Sequence, residues 1–172
     1  MNLPFDGDVQ ITQIQHANHD GLDMVSLGDK VVHSTINGEV VYADWENRNN
    51  TKQGFGKYVE IKQDGTNNYF YFGHLSEIKV KVGDKVKVCD IIGIEGNTGY
   101  STGSHLHYCC RKNRSKNEVQ KIYEIAGVPN RLGVYNDGHK PNTSNVINDN
   151  KKIINETIEL LNKATQNLKN IK

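Results

Sequence analysis

Histidine and aspartate side chains in two short phrases are the residues of this 172-residue sequence whose spacing is best suited to chemistry. His19 and Asp23 lie four residues apart, and Gly21 between them, in a turn-rich setting, disfavours a helix. His105 and His107 are two residues apart in a β-rich run, and residues at that spacing in a strand point to the same face of a sheet. We therefore expect two imidazoles on one sheet face, with the first phrase on a loop or strand edge.

Two histidines and one aspartate are enough to hold a catalytic zinc ion. Neutral imidazole and carboxylate are good Zn²⁺ ligands, and a catalytic zinc usually takes three protein ligands and leaves a fourth position for water. Such an ion lowers the pKa of its water to about 7 and polarises a carbonyl group. A further histidine nearby would move protons. The phrases favour a hydrolytic centre with one Zn²⁺ per chain, although His-X-His alone also occurs in strands by chance.

The remaining histidines and the cysteines carry weaker signals. His74 ends an aromatic strand, but three histidines belong to no motif and are expected to be satisfied surface or core residues: His16, His33 and His139. The cysteines form an odd set with two adjacent members: Cys89, Cys109 and Cys110. Such a set disfavours a disulfide framework and favours synthesis in a reducing compartment.

Short strands joined by tight turns are expected to position these side chains. Sixteen glycines stand against three prolines, spaced between short β-rich runs. This pattern predicts a mainly β fold with an antiparallel sheet, one face of which supplies the core. The strands are expected over residues 30–34, 38–43, 57–63, 69–74, 85–88, 91–96 and 105–111. Alternation also indicates strand over 58–62 and 80–82, and residues 118–126 predict a short helix ended by Gly127 and Pro129.

One domain with a short appendage is the organisation that the composition favours. Residues 1–140 are expected to form the domain, residues 141–150 a polar linker, and residues 151–172 an amphipathic helix. A helix of roughly three heptads is marginal alone in water. It either folds back on the domain or frays, or it associates weakly with itself or with a cell wall.

Charge and hydropathy exclude two classes of protein. The net charge is +1, and residues 151–172 hold five Lys and two Glu, so the domain is slightly acidic and is not a nucleic-acid binder by charge. No run approaches the roughly 18 apolar residues of a membrane-spanning helix, and the first residues lack a basic-then-apolar signal pattern. We expect a protein made in the cytoplasm without a signal peptide, and no membrane insertion.

The histidine phrases together resemble the LytM-type (M23, lysostaphin-like) zinc metallopeptidases, which cut bacterial peptidoglycan. The family's three marks occur in the expected order, at residues 19–23, 74–76 and 105–107. Its connecting phrases follow the same order, at residues 82–86, 92–93 and 96–103. The resemblance covers about residues 15–112 and is specific as a set. It implies an antiparallel β domain with a groove over the metal.

Roles for five side chains follow from this resemblance. It implies that His19, Asp23 and His107 bind the zinc ion and that His74 and His105 are the unligated pair around the attacking water. We expect His105 to be the general base, and His74 to steady the oxyanion or orient the water, although the two roles are exchangeable.

The resemblance also implies a groove that holds an extended peptide. Loops rich in Gly, Asn and Tyr over residues 44–55 and 97–103 are suited to line it. Within the second loop, Asn97, Tyr100 and Ser101 are the expected substrate-binding residues, because this loop leads to the last histidine phrase.

Two departures from the family pattern are visible. Cys109 follows the last histidine phrase where the family often has Glu, and Cys89-Asp90 replaces a common Gly. Cys109 is expected to share the sheet face of His105 and His107, as a buried inert thiol or, alternatively, as a thiolate that competes for the metal.

The function implied is a zinc-dependent endopeptidase acting on peptidoglycan stems or crosslinks. A catalytic domain followed by a linker is also similar to endolysins of Gram-positive phages, released through a holin or carried by the virion. The main alternative is a non-catalytic LytM-like scaffold that regulates another wall hydrolase. A biotinyl or lipoyl carrier is a third interpretation, since residues 82–86 resemble the turn of those domains, but no suitable acceptor-lysine hairpin follows Ile94.

Overall fold

An eight-stranded antiparallel sheet dominates the computed structural model, which describes residues 2–136 and 157–159. The strand order is β11-β1-β2-β10-β6-β5-β4-β8. The strands are β1 (Val9–Gln13), β2 (Gly21–Ser26), β4 (Gly38–Trp45), β5 (Lys57–Gln63), β6 (Asn68–Gly73), β8 (Lys85–Val86), β10 (Leu106–Lys112) and β11 (Gly133–Tyr135). A three-stranded sheet consists of β3 (Val31–His33), β9 (Ile91–Ile94) and β7 (Glu77–Ile78), and helix α1 spans Ile122–Ala126. The predicted fold class, mainly antiparallel β, is confirmed.

Alternate residues of β10, the strand that contains the last histidine phrase, face the hydrophobic core and the candidate site. Leu106, Tyr108 and Cys110 of β10 belong to the hydrophobic core, and the Tyr108 hydroxyl lies 2.6 Å from Thr35 Oγ1. His107 and Arg111 of the same strand line an open cleft on the other side. β10 and its two neighbours, β2 and β6, are therefore fixed on one face by the core, which gives the cleft a rigid floor.

Two strands that precede residue 30 were not predicted from the sequence. β2 reads Gly-Leu-Asp-Met-Val-Ser and is buried along nearly its whole length, so it shows no polar alternation. β1 lies beside it, and β11 pairs with the outer side of β1. These strands matter because β2 is the direct partner of β10.

The prediction of a strand over residues 80–82 is wrong. The Lys81 backbone N–H donates to Asp84 Oδ2, and the Asp84 backbone N–H donates to the Lys81 carbonyl. These two hydrogen bonds close a turn. Val82 is 62% exposed at this turn. A short Val-Lys-Val alternation is thus overridden by the Gly-Asp that follows it.

The short helix begins later than predicted and ends where expected. Residues 118–120 pair with the end of β10 instead: the Lys112 N–H donates to Glu118 O, and the Gln120 N–H donates to Cys110 O. Gly127 closes α1 in the left-handed conformation, with φ of 67°.

The predicted linker, residues 141–150, lies outside the described residues, as does His139. Of the predicted tail helix, 151–172, only residues 157–159 are described, and they are helical. Within the described part of the chain, no helix is long and apolar enough to cross a membrane.

Candidate metal centre

Three side chains from both histidine phrases meet where β2 faces β10. Asp23 of β2 is the direct register partner of His107 of β10. His19 lies just before β2, where its backbone exchanges two hydrogen bonds with His16, of 2.9 and 3.0 Å. One donor atom from each of His19, Asp23 and His107 lies within 4.8 Å of the others. The structure therefore brings together the three residues expected to bind metal.

The hydrogen bonds around the two histidines leave one ring nitrogen of each pointing into this cluster. His19 Nδ1 donates to the Ile14 carbonyl at 2.9 Å, so Nε2 is the free nitrogen, 3.1 Å from Asp23 Oδ1. In His107 the roles are reversed: Nε2 faces Asp20 Oδ1 at 3.1 Å, and Nδ1 lies 2.8 Å from Asp23 Oδ1. The nitrogen available for a metal is set by the partner of the other nitrogen.

This donor set fits a zinc ion. Two imidazole nitrogens and one carboxylate oxygen are a common catalytic zinc set, which usually leaves a fourth position for water. Burial opposes ionisation of Asp23, but the neighbouring imidazoles of His107 and His19 hold its pKa well below the ordinary value. Asp23 is therefore a carboxylate, as a metal ligand must be.

Two further histidines flank the cluster without joining it. The ring centroids of His74 and His105 are 4.6 Å apart, and His105 Nε2 lies 3.6 Å from Asp23 Oδ2. His74 Nδ1 donates to Thr98 O at 2.8 Å, and His105 Nδ1 donates to Gly103 O at 2.9 Å. Burial lowers the pKa of His74 to about 4, so its ring is neutral near pH 7. In that tautomer its Nε2 is a proton acceptor.

The cluster lies in an open cleft of about 760 Å³. Glu46, Gly54 and Phe55 of the first predicted loop line it, together with Tyr100 and Ser101 of the second. Ser101 Oγ is 3.3 Å from His105 Nδ1. Asn97 is exposed and is not among the residues that line the cleft.

The two rim loops are locked to each other by a glycine pair. A Cβ on Gly99 would lie 2.3 Å from Gly56 N, so both backbones can approach only without side chains. The Tyr100 N–H donates to Gly54 O at 2.9 Å, and Thr98 Oγ1 accepts from the Lys57 N–H at 3.0 Å. Because Thr98 O also holds His74, this loop connects the cleft rim to the site.

No individual role was predicted from the sequence for Asp20 and Arg111, nor for Phe55 and Thr98, although the last two lie in the loops predicted to line the groove. Asp20 and Arg111 are on the elements already singled out, and Arg111 has the same strand parity as His107. The shared parity could have predicted that Arg111 lies on the same sheet face as His107. The distance of 5.4 Å between the ring centroids of Phe55 and His107 could not be predicted in this way, because Phe55 belongs to a loop far away in sequence.

Cys109 lies on the site side of β10, as expected from its parity. It is fully buried, and burial raises the pKa of its thiol above the ordinary value. One donor atom from each of Asp20, His107 and Cys109 also lies within 4.8 Å of the others. Burial of a protonated thiol favours the inert role over that of a competing ligand.

Comparisons with known proteins agree with this geometry. The sequence profile of peptidase family M23 matches residues 17–119, more than half of the chain. The glycyl-glycine endopeptidase ALE-1 of Staphylococcus capitis is 40% identical over 96 residues, which are 55% of this chain and 25% of ALE-1. The peptidoglycan DD-endopeptidase ShyA of Vibrio cholerae is 40% identical over 92 residues, 54% of this chain and 20% of ShyA. The match thus spans a quarter or less of these relatives.

Two solved structures share the fold. The catalytic domain of lysostaphin from Staphylococcus simulans superposes with a TM-score of 0.57 at 31% identity, covering 69% of this chain and 89% of that domain. A variant catalytic domain of the prophage-encoded M23 protein EnpA from Enterococcus faecalis gives 0.55 at 28% identity, covering 69% and 93%. With the profile match over residues 17–119, these likenesses show that the chain belongs to peptidase family M23.

Proposed function

We propose that this chain is a zinc-dependent endopeptidase that cuts peptide bonds in bacterial peptidoglycan. The observation that carries the proposal is the convergence of His19 Nε2, Asp23 Oδ1 and His107 Nδ1 beside two histidines that do not join the cluster. Relatives named as glycyl-glycine and peptidoglycan endopeptidases support the substrate class.

The proposed chemistry is hydrolysis of an amide. A zinc ion held by His19, Asp23 and His107 would supply a Lewis acid for the carbonyl and would acidify water. His105 accepts the proton of the attacking water at Nε2 and passes it to the leaving amine, while its Nδ1–H stays on Gly103 O. Neutral His74 has its proton on Nδ1, which favours orienting the water over donating to the oxyanion.

Substrate contacts are proposed for the rim. Tyr100 is 82% exposed and lines the cleft, so its ring is available to an extended peptide. Ser101 contacts His105 and would place the peptide against the base. Asn97, exposed outside the cleft lining, would reach only a substrate that extends beyond the cleft.

The test is digestion of purified cell walls of several crosslink types, with and without a chelator, with mass spectrometry of the new amine. We expect at least one wall type to yield a cut that chelation abolishes and added zinc restores. A protein that binds zinc stoichiometrically but cuts no wall type would contradict the proposal and favour the non-catalytic scaffold.

We further propose that the enzyme serves a phage in host lysis. The support is the likeness to the catalytic domain of prophage-encoded EnpA. Expression in a Gram-positive host with and without a holin tests this: lysis that requires the holin is expected. Equal lysis without the holin would contradict delivery from the cytoplasm.

A further inference from the structure

Asp20 connects His107 to a buried arginine. Its Oδ1 lies 3.1 Å from His107 Nε2, and its Oδ2 accepts two hydrogen bonds from Arg111, from Nε at 2.9 Å and Nη2 at 2.6 Å. A guanidinium that donates twice to one oxygen pairs with a carboxylate, and a carboxylate only accepts hydrogen bonds. His107 Nε2 is therefore the donor to Asp20 Oδ1.

We propose that Asp20, held by Arg111, is the positioning residue that fixes His107 with its proton on Nε2 and its lone pair on Nδ1. The inference rests on the proposed function, because it takes His107 Nδ1 as a metal ligand. A charged acceptor also increases the basicity of the opposite nitrogen. His19 Nδ1, by contrast, donates to the neutral Ile14 carbonyl.

Arg111 holds Asp20 in one orientation. It is 8% exposed, and its Cζ lies 4.9 Å from the Tyr71 ring centroid and 5.2 Å from that of Phe55. The contacts with these two rings hold the guanidinium in place, and its two hydrogen bonds to Oδ2 then hold the carboxylate. With Oδ2 on Arg111 and Oδ1 on His107, no oxygen of Asp20 is left for the metal. The residue acts through His107.

The neighbouring glycine makes this contact possible. A Cβ on Gly21 would lie 2.8 Å from His107 Nε2 and 2.6 Å from Tyr108 O. A side chain at this position would push the imidazole away from Asp20. The phrase Asp-Gly at 20–21 thus supplies both the acceptor and the room for the ring.

The test is zinc affinity, measured by competition with a chromogenic chelator on metal-depleted protein. Asp20→Ala is expected to weaken zinc binding about 10- to 100-fold, the usual effect of losing such a partner. Arg111→Gln should weaken it less. The double variant should be no weaker than Asp20→Ala, because Arg111 acts only through Asp20. Asp20→Asn, which keeps the shape, is a second variant if the first folds poorly.

Glu60 and Arg114 provide a matched control. Glu60 is 2% exposed and accepts two hydrogen bonds from Arg114, of 2.7 and 2.6 Å. Its carboxylate has no hydrogen bond to a histidine among those found in the described residues. Glu60→Gln therefore breaks an equivalent pair, and we expect zinc affinity within about twofold of wild type.

Nitrogen NMR of the histidine rings reports the tautomer of His107, which a general loss of stability would not change. His107 should show a protonated Nε2 in wild type. In metal-depleted Asp20→Ala only the Asp23 carboxylate, among the described residues, faces the ring, so the proton should move to Nδ1. Zinc affinity of Asp20→Ala within twofold of wild type, or an equal loss in Glu60→Gln, would overturn the inference. A wild type that binds no zinc, or a His107→Ala variant that keeps it, would instead overturn the proposed function.

Discussion

His105 and His107 are two residues apart, yet their hydrogen bonds indicate different roles. His107 turns Nδ1 toward Asp23, whereas His105 keeps Nδ1 on Gly103 O and leaves Nε2 for a proton. Sequence parity predicted the shared face. It could not predict which nitrogen each ring presents, because that depends on acceptors from other segments.

The first prediction concerns the base. His105→Ala should keep about one zinc per chain and lose at least about 100-fold in kcat on a wall substrate, the usual effect of removing a general base. Zinc content by atomic absorption and amine release measure the two effects separately. Activity near wild type would show that His105 is not the base and would leave His74 as the candidate.

The second prediction concerns the ligand. His107→Ala removes Nδ1, one of the three proposed ligand atoms, from the cluster. Zinc content should fall far below one per chain under conditions where His105→Ala stays loaded. A fully loaded His107→Ala protein would refute the ligand assignment.

At the scale of elements, the interface between β2 and β10 decides whether the site forms. The sequence predicted β10 as a β-rich run over residues 105–111, but β2 is buried along nearly its whole length and carries no alternation. The pairing of Asp23 with His107 therefore had to come from the resemblance of the motifs. The connecting loops could be named as groove candidates, but not their contact through Gly56 and Gly99, which joins segments far apart in sequence.

Gly21→Ala tests this interface. The added Cβ would meet the backbone oxygen of Tyr108 at 2.6 Å, so β2 and β10 must separate locally. We expect the free energy of unfolding to fall by about 1–3 kcal/mol, the usual cost of overpacking, together with weaker zinc binding. Urea unfolding of the metal-depleted protein measures the first effect.

Gly103→Ala is the matched control for that measurement. A Cβ on Gly103 meets nothing within 4 Å, and its φ lies outside the left-handed region. Its unfolding free energy should stay within about 0.5 kcal/mol of wild type. If both alanine variants behaved alike, close packing at Gly21 would not explain the geometry of the β2–β10 pair.

At the scale of the whole molecule, the charge is distributed unevenly along the chain. Residues 151–172 carry five Lys and two Glu, whereas the rest of the chain is slightly acidic. Opposite charges attract at low salt and are screened at high salt. A basic tail would therefore strengthen binding to anionic wall polymers.

Removal of residues 141–172 tests this role. The shortened protein should bind isolated walls less tightly than the full chain at 20 mM salt, roughly equally at 0.5 M salt, and should cut a short soluble peptide at the same rate. Sedimentation of the walls measures binding. Equal binding of both proteins at low salt would show that the tail plays no part in wall attachment.

The position of the metal is the most direct test of the account. In crystals of the zinc-loaded protein, an anomalous difference map at the zinc edge should show one peak bound by His19 Nε2, an Asp23 oxygen and His107 Nδ1. A peak bound instead by Asp20, His107 Nε2 and Cys109, or no peak in either place, would contradict it.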